Sequence, residues 1–208
     1  MDINQKIEEL KIVPVVVLQN EKDALPLAKA LLDGGLPVAE VTFRTDAAEG
    51  SIRAISEAYP EMLVGAGTVV SVAQAERAVA AGAKFLVTPG FSEAVTKYAV
   101  AHGVPIFPGV CTPTEIMMAL EYNLKVVKFF PASNYGGLAT IKALAGPFPS
   151  IRFMPTGGVN AKNVREYLAE PKIIACGGSW MVKGELISAG KFDEIRALTA
   201  EAVALVKE

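Results

Sequence analysis

The stretch SVAQAERAVAAG, residues 71–82, leads into FLVTPG, residues 85–90. The first segment carries Ala at helical spacing, opens with Ser71, a residue type that caps helix N-termini, and closes on Gly82, the usual residue just past a helix end. The second segment is short, apolar and bounded by Pro and Gly, which is typical of a buried strand. Together they predict one helix followed by one strand.

This alternation recurs along the whole chain. A second helical segment, SEAVTKYAVAHG at 92–103, has the same Ser start and Gly end. The short β-rich runs are VPVVVL 13–18, AEVTFR 39–44, LVGAGTVV 63–70, FLVTPG 85–90, PIFPGV 105–110, KVVKFFPA 125–132, RFMPTGG 152–158 and KIIACGGS 172–179. Eight strands at about 25 residues per unit predict an α/β fold of the (β/α)₈ TIM barrel type. A doubly wound open sheet would give the same alternation, so closure of the barrel rests on the count of strands.

One domain accounts for the length. No linker, low-complexity tract or long charge run interrupts the chain, so residues 1–208 are predicted to form a single (β/α)₈ barrel domain. The segment MDINQKIEELK 1–11 predicts an extra N-terminal helix that closes the bottom of the barrel. The segment KFDEIRALTAEAVALVK 191–207 predicts the last helix.

Composition and charge exclude several classes of partner. Hydrophobic residues make up 51% of the chain and charged residues 20%, which is ordinary for a globular protein with a sizeable core. The formal charge of -2 leaves no basic surface, so neither nucleic acid nor an anionic membrane is an expected partner. The polar N-terminus does not resemble a secretory signal, and no apolar run is long enough to span a bilayer, which predicts a cytoplasmic protein.

Metal and nucleotide cofactors are not expected. Cys111 and Cys176 lack C-x-x-C spacing, and the single histidine, His102, removes most ways of building a metal site, so both cysteines are interpreted as reduced, small hydrophobes. His102 falls in the last turn of its predicted helix, where a capping or dipole role is usual. The segment GAGTVV at 65–70 has Val70 where a dinucleotide-binding fingerprint needs its third glycine.

Lys128 interrupts an apolar strand in NLKVVKFFPAS, residues 123–133. Strand parity places it on the same face as Val126 and Phe130. A structural ion pair with Glu40 is one interpretation, although such pairs barely recover their desolvation cost. A lysine that reaches out from a sheet edge is another, although a closed barrel has no edge. The chemical interpretation is that a partly desolvated amine becomes a nucleophile near neutral pH, attacks a ketone and forms an iminium.

The strand AEVTFR, residues 39–44, supplies further charged groups. Residues two apart in a strand share a face, so Glu40, Thr42 and Arg44 are predicted to point into the barrel. An iminium withdraws electrons from the adjacent carbon and permits carbon–carbon cleavage when a base moves the protons, and Glu40 is the available base. Arg44 lies about 13 Å further along the strand, where its guanidinium suits a substrate carboxylate. A surface charge at the strand end is the alternative for Arg44.

Paired glycines follow the last two predicted strands, in PTGGVN 155–160 and CGGSW 176–180. In barrels that handle phosphorylated substrates, the loops after strands seven and eight offer backbone N–H groups to the phosphate, and glycine permits the close approach. One such pair is common in turns, but two at equivalent loops predict a phosphate site.

These segments carry a family resemblance that covers essentially the whole chain. The segments GLPVAEVTFR 35–44 and KFFPASNYGG 128–137 resemble the acid/base segment and the Schiff-base lysine segment of the class I 2-dehydro-3-deoxy-phosphogluconate (KDPG) aldolases. Many members of that family also cleave 4-hydroxy-2-oxoglutarate (KHG). The segments FMPTGGVN 153–160 and CGGSW 176–180 are similar to the phosphate loops of the family. One departure is Asn123, where glycine is more frequent; Asn tolerates the left-handed conformation better than most residues.

The resemblance implies a role for each candidate residue. It implies that Lys128 forms the iminium and that Glu40 shuttles protons. It implies that Arg44 and Thr68 hold the pyruvate half of the substrate, with Phe130 beside the imine. The remaining implied contacts are Thr156 with the C4 hydroxyl, and Gly157, Gly158 and Ser179 with the phosphate. A threonine at position 156 favours the gluconate epimer, and family members are commonly homotrimers.

The sequence thus predicts a lyase that needs no metal or other cofactor and binds a small-molecule phosphorylated keto acid. The predicted reaction splits 2-dehydro-3-deoxy-6-phospho-D-gluconate into pyruvate and D-glyceraldehyde 3-phosphate, and KHG is a further candidate substrate. Three alternatives stay open: an aldolase for the galactonate epimer, a phosphate-handling isomerase or synthase that uses Lys128 only as a cation, and a non-catalytic barrel that binds phosphorylated metabolites.

Overall fold

The fold is an alternation of parallel strands and helices, described over residues 2–207 by a computed structural model. The strands are β1 Ile12–Val16, β2 Val38–Thr42, β3 Leu63–Gly67, β4 Leu86–Val87, β5 Ile106–Phe107, β6 Gly109–Val110, β7 Val126–Phe129, β8 Arg152–Pro155 and β9 Cys176–Gly178. The helices are α1 Ile3–Leu10, α2 Ala24–Asp33, α3 Ala47–Ala58, α4 Val72–Ala80, α5 Glu93–Ala101, α6 Pro113–Glu121, α7 Gly137–Ala145, α8 Val164–Leu168, α9 Gly184–Ser188 and α10 Phe192–Lys207. The two ends of the predicted domain 1–208, and the first residue of the predicted helix 1–11, lie outside the described residues.

The strands form a curled, TIM-barrel-like parallel sheet. Six of them follow the order β5-β4-β3-β2-β1-β9, and the other three follow the order β6-β7-β8. Single parallel bridges join Phe153 to Ile173 and Thr156 to Gly177, so β8 lies beside β9. Pro108 alone separates β5 from β6. The predicted α/β class, with parallel strands and intervening helices, is confirmed.

The strands are shorter than the apolar runs that predicted them. The run 105–110 holds two strands rather than one, because Pro108 has no N–H with which to continue the hydrogen-bond ladder. The run 39–44 ends as a strand at Thr42, and the chain then turns toward α3. Arg44 therefore lies in a turn, and the alternation of faces predicted for it does not extend that far.

The helix ends agree with their sequence signals. The side chains of Ser71 and Ser92 accept hydrogen bonds from the backbone N–H groups of Gln74 and Val95, which caps α4 and α5. Gly82 and Gly103, just past these helices, have φ values of 102° and 65°, which suit glycine. Asn123 has a φ of 57°, so it adopts the left-handed conformation expected for it. No helix between residues 2 and 207 is both long and apolar enough to cross a bilayer.

The core lies between the sheet and the surrounding helices. Its largest fully buried side chains include Phe85, Phe107, Phe129 and Phe153. The rings of Phe85 and Phe107 meet edge to face with centroids 5.7 Å apart, a favourable aromatic geometry. Burying one such side chain contributes about 1.5–3 kcal/mol to folding, so these rings fix the relative positions of the strands.

The predicted N-terminal helix is present as α1 and packs against β1. Asp2 caps it, Ile7 is fully buried, and Lys11 ends it with a φ of 61°. Glu8 accepts two hydrogen bonds from the Arg152 guanidinium, at 2.6 and 2.5 Å. Arg152 begins β8, so this bidentate pair ties α1 to the N-terminal end of the strands.

Replacing Glu8 tests how much this pair stabilises the fold. We expect Glu8→Gln to lower the free energy of unfolding at pH 7 by less than about 1 kcal/mol, because both side chains are partly solvent-exposed and the pair is screened. The hydrogen bond from Arg152 holds the pKa of Glu8 below its ordinary value. Its contribution is therefore full above the unfolded-state pKa and disappears as the pH falls through the lower folded-state pKa.

Urea denaturation of both proteins at pH 7 and at about pH 3 measures the effect. The difference between wild type and Glu8→Gln should shrink at the lower pH. Glu9→Gln is the matched control, because it makes the same charge change on the same helix and Glu9 lies 3.9 Å from its Lys6 partner. An equal loss of unfolding free energy in Glu8→Gln and Glu9→Gln would contradict a stabilising role for the Glu8–Arg152 pair.

Candidate active site

Lys128 and Glu40 form an ion pair in the interior. Lys128 lies in β7 and Glu40 in β2, two strands that do not pair with each other. The Nζ atom of Lys128 is 3.3 Å from Oε1 of Glu40, and the two side chains are 3% and 0% exposed. Since neither strand neighbours the other, the side chains meet across the inner face of the curled sheet.

This pair is poorly arranged for stability. The other carboxylate oxygen of Glu40, Oε2, is buried and has no hydrogen-bond partner among residues 2–207. An unsatisfied buried acceptor costs about 1–3 kcal/mol, and a buried ion pair regains little of its desolvation cost. What the arrangement does provide is an amine and a carboxylate oxygen that can both engage a molecule entering the interior.

Strand β3 leaves the space that the Glu40 carboxylate occupies. Gly67 lies on β3, which pairs with β2, and a Cβ atom built on it would stand 2.2 Å from Oε1 of Glu40. A Cβ atom built on Gly65 would stand 2.2 Å from the Phe85 ring. The glycines of GAG, residues 65–67, do not form a nucleotide-binding motif. They leave space for the Glu40 carboxylate and the Phe85 ring.

Phe130 covers one side of the amine. It directly follows β7 and is half-buried, and its ring centroid lies 5.0 Å from Nζ of Lys128. A cation at this distance from an aromatic face is attracted to it. The ring also limits the directions from which a ligand can reach the amine.

Arg44 and Thr68 meet in the turns that follow β2 and β3. The Nε–H of Arg44 donates to Oγ1 of Thr68 at 3.0 Å. Thr68 has a φ of 55°, an uncommon conformation for a β-branched residue. Among residues 2–207 the two terminal guanidinium nitrogens make no hydrogen bond, so this end of Arg44 can grip a carboxylate with both N–H groups.

A cavity of about 650 Å³ lies beside the loops that follow β8 and β9. Gly158 and Ser179 line it together with Val15, Trp180 and Lys183. Its lining does not include Lys128, Glu40 or Gly157. Val15 pairs in register with Glu40, so the cavity adjoins the strand that carries the carboxylate.

Two backbone hydrogen bonds join the loop after β7 to the loop after β8. The N–H of Ala132 donates to the carbonyl of Thr156 at 2.8 Å, and the N–H of Ser133 donates to the carbonyl of Gly157 at 3.0 Å. These bonds therefore fix the position of the loop with the paired glycines relative to β7, the strand that carries Lys128.

The glycine loop itself is fixed by two asparagines. The side-chain amides of Asn160 and Asn163 both donate to the carbonyl of Gly158 at 3.1 Å. Gly157 and Gly158 have φ values of 94° and 82°, which other residues rarely adopt. The two amides therefore hold the Gly158 carbonyl in place and stabilise the conformation of this loop.

Thr156 is almost fully buried where β8 meets β9. It forms a bridge with Gly177, and a Cβ atom on Gly177 would stand 2.3 Å from the Thr156 hydroxyl oxygen. The hydroxyl donates to the Met154 carbonyl at 3.5 Å, a long and weak bond. This hydroxyl is therefore held in place mainly by packing against Gly177.

The structure brings seven of the nine predicted residues together in three groups. They are Lys128 with Glu40 and Phe130, Arg44 with Thr68, and Gly158 with Ser179. Thr156 and Gly157 directly precede Gly158 but do not line its cavity. Sequence reasoning missed Gly67, Lys183 and the two asparagines of the glycine loop. The only signal for the asparagines was their position in GGVNAKN, directly after the paired glycines.

The cysteines and the histidine do not compete for a catalytic role. Both cysteines are free thiols, and burial raises the pKa of Cys176 to about 12. Burial also raises the pKa of Cys111, and nearby Glu115 adds to the effect. The Nδ1 atom of His102 lies 2.8 Å from the Tyr98 carbonyl at the end of α5. Within residues 2–207 no three His, Cys, Asp or Glu side chains converge to hold a metal ion.

The family model that matches this chain is the aldolase model for KDPG and KHG aldolases, which covers residues 3–198. A 2-dehydro-3-deoxy-phosphogluconate aldolase of Treponema pallidum (strain Nichols) is 48% identical over 204 residues. That match covers 98% of this chain and 97% of the relative.

Solved structures agree with the sequence matches. The KDPG aldolase of Legionella pneumophila, with pyruvate captured at low pH as a covalent carbinolamine, superposes with a TM-score of 0.89 at 40% identity and covers 92% of this chain and 93% of its own. The aldolase of Zymomonas mobilis ZM4 with 3-phosphoglycerate gives a TM-score of 0.90 at 39% identity, with 99% and 97% of the two chains covered.

Replacing Gly67 by alanine tests whether the bare β3 backbone positions the Glu40 carboxylate. The new methyl group needs space that Oε1 now occupies, so we expect the free energy of unfolding to fall by about 1–3 kcal/mol. Gly90→Ala is the control, because a Cβ atom there meets nothing within 4 Å. Thermal and urea unfolding, followed by circular dichroism, compare the two variants.

A second substitution separates this clash from general strain in the strand. Glu40→Asp shortens the side chain by one methylene, so the double variant Gly67→Ala with Glu40→Asp should recover part of the stability lost in Gly67→Ala. If the two substitutions are simply additive, or if Gly67→Ala is no worse than Gly90→Ala, the carboxylate is not held by this contact.

Proposed function

Because this chain belongs to the KDPG and KHG aldolase family, we propose that it is a class I aldolase that cleaves 2-dehydro-3-deoxy-6-phospho-D-gluconate to pyruvate and D-glyceraldehyde 3-phosphate. KHG, which would give pyruvate and glyoxylate, is its second substrate. The observation that carries the proposal is the buried amine of Lys128, 3.3 Å from the Glu40 carboxylate on the inner face of the sheet. The carbinolamine of the Legionella pneumophila enzyme supports covalent chemistry at such an amine.

The first half of the reaction builds the electron sink. Lys128 gives up a proton, and Glu40 is the acceptor within reach. The free Nζ attacks the C2 ketone, a C–N bond forms, and the carbonyl oxygen takes up a proton to give a carbinolamine. Loss of this hydroxyl as water, with proton donation by Glu40, leaves an iminium.

The second half breaks the carbon–carbon bond. Glu40, through Oε2 or one water, accepts the proton of the C4 hydroxyl. The C3–C4 bond then breaks, its electron pair moves into the iminium to give an enamine, and C4 leaves as the aldehyde of glyceraldehyde 3-phosphate. Protonation of the enamine at C3 and hydrolysis of the imine release pyruvate and regenerate Lys128.

The other candidate residues bind the two ends of the substrate. Arg44 and Thr68 hold the carboxylate of the pyruvate half, and Phe130 packs beside the imine. Thr156 contacts the C4 hydroxyl of the substrate. This contact is the reason for proposing that the enzyme prefers the gluconate epimer to the galactonate epimer.

At the other end of the substrate, Gly157, Gly158 and Ser179 bind the phosphate. Two observations support this phosphate site. Gly158 and Ser179 line the same cavity, and Gly157 and Gly158 both adopt the left-handed conformation. The iminium supplies the electron withdrawal for which class II aldolases use a metal ion, so the reaction needs no cofactor.

We further propose that the strands close into a (β/α)₈ barrel. If β5 and β6 count as one strand interrupted at Pro108, the chain has eight strands, as the sequence predicted. The bridges Phe153 to Ile173 and Thr156 to Gly177 support closure between β8 and β9. In such a barrel the catalytic groups come from the C-terminal ends of the strands, which is where Arg44, Thr68 and the paired glycines lie.

We also propose a homotrimeric, cytoplasmic enzyme, as the sequence resemblance implies. Both cysteines are free thiols, as is usual in reducing compartments. Size-exclusion chromatography with light scattering tests the assembly, with an expected mass of three 21.9 kDa chains. A monomeric mass at micromolar protein concentration would contradict the proposed trimer but would not bear on the proposed reaction.

Lys128→Arg tests the chemistry directly. Arginine keeps a cation opposite Glu40 but cannot form an imine. Wild type treated with pyruvate and borohydride should carry a pyruvyl adduct on Lys128 by peptide mass mapping, and Lys128→Arg should carry none. Pyruvate release from the phosphorylated substrate should fall at least about 10³-fold in the variant.

Lys125→Arg is the matched control for this experiment. Lys125 lies three positions earlier in the same segment but is exposed, so the control makes the same chemical change without touching the interior. We expect it to keep both the adduct and the activity. Full turnover by Lys128→Arg would instead favour an enzyme that uses this lysine only as a cation.

A further inference from the structure

The cavity beside the loops after β8 and β9 contains one basic side chain. Lys183 lines it together with Gly158 and Ser179, two of the three residues proposed to bind phosphate. Glu185 is the acidic residue of the lining. The other lining residues carry no formal charge, so Lys183 and Glu185 set the electrostatics of this cavity.

The loop that carries Lys183 is firmly anchored. Met181 and Val182 are 0% and 2% exposed, so the centre of the loop is packed into the core. Trp180 packs over Gly178, where a Cβ atom would stand 2.0 Å from the indole ring. The N–H of Val182 donates to the Ser179 carbonyl at 3.1 Å. Ser179 and Lys183 are therefore presented by one rigid turn, and both side chains reach solvent at the cavity.

The Lys183 amine has no competing partner. No ion pair or hydrogen bond from its side chain is formed within the described part of the chain, in contrast to Lys142 and Lys191, which pair with Glu170 and Glu194. Glu185 is likewise unpaired there, which leaves Lys183 available to a ligand. An ammonium group is a strong ligand for phosphate as a point charge, and it adds to the neutral donors that glycine N–H groups and a serine hydroxyl offer.

We propose that Lys183 is a specificity-determining residue, which binds the phosphate of the substrate and sets the preference of the enzyme for a phosphorylated over an unphosphorylated keto acid. This inference rests on the proposed function and adds a residue to it. A phosphate dianion has no countercharge among Gly157, Gly158 and Ser179. Because Lys183 is exposed and Glu185 opposes it, its contribution is that of a screened surface charge, roughly 5-fold in affinity.

The test compares a ligand that has a phosphate with one that lacks it. Four proteins are made: wild type, Lys183→Gln, Lys183→Arg and Lys97→Gln, the last removing an exposed lysine of α5 that does not line the cavity. For each we measure the KM and kcat for the phosphorylated substrate. We also measure the pyruvate concentration that gives half-maximal borohydride trapping at Lys128, which reports only the keto-acid end.

Lys183→Gln should raise the KM for the phosphorylated substrate about 5-fold with little change in kcat. Half-saturation by pyruvate should match that of Lys97→Gln. Lys183→Arg keeps the charge and should keep most of the affinity. High salt should narrow the gap between wild type and Lys183→Gln, because it screens an exposed charge.

Two results would overturn the inference: no change in the KM for the phosphorylated substrate, or an equal loss for that substrate and for pyruvate, which would indicate a merely structural role. Failure of the proposed function looks different. In that case wild type itself forms no pyruvate adduct at Lys128, whatever residue stands at position 183.

Discussion

The rest of the site depends on one constraint: an amine and a carboxylate lie 3.3 Å apart with almost no access to water. Such a pair is weak as a stabilising contact, since desolvation consumes most of its Coulombic energy. Its value lies in the proton that the two groups can share. In the proposed reaction, removal of that proton from Lys128 makes a nucleophile, and the protonated Glu40 becomes the acid that the next step needs. Burial removes most of the water that would otherwise solvate both charges.

Glycine positions in the backbone, more than the surrounding side chains, make room for the Lys128–Glu40 pair. Two glycines in β3 leave room for the Glu40 carboxylate and for the Phe85 ring, which fixes the neighbouring strand. At the other end of the site, glycines in left-handed conformations form the loop that faces the cavity, and two asparagine amides hold its carbonyl. A side chain would clash or be strained at each of these positions, so each is glycine. The two glycines in β3 are present although glycine weakens a strand.

Much of this was predictable from the sequence, because periodicity and polarity are local properties. The alternation of apolar runs with Ser-capped, Gly-terminated helices was sufficient for the α/β class, and a lysine within an apolar strand was sufficient to mark Lys128. Contacts between distant segments were not predictable in the same way. Nothing local to GAG indicates that Gly67 faces Glu40, or that Lys183 shares a cavity with Gly158. Strand ends were also misplaced, since the apolar runs extend into turns, which is how Arg44 was assigned to a strand.

The hydrogen bonds from Ala132 to Thr156 and from Ser133 to Gly157 link the two loops through main-chain atoms alone. The distance between Lys128 and the paired glycines is therefore set by the backbone rather than by the side chains that line the cavity. In the proposed reaction, changes in those side chains would alter the choice of ligand without altering the length of ligand that the scaffold accommodates.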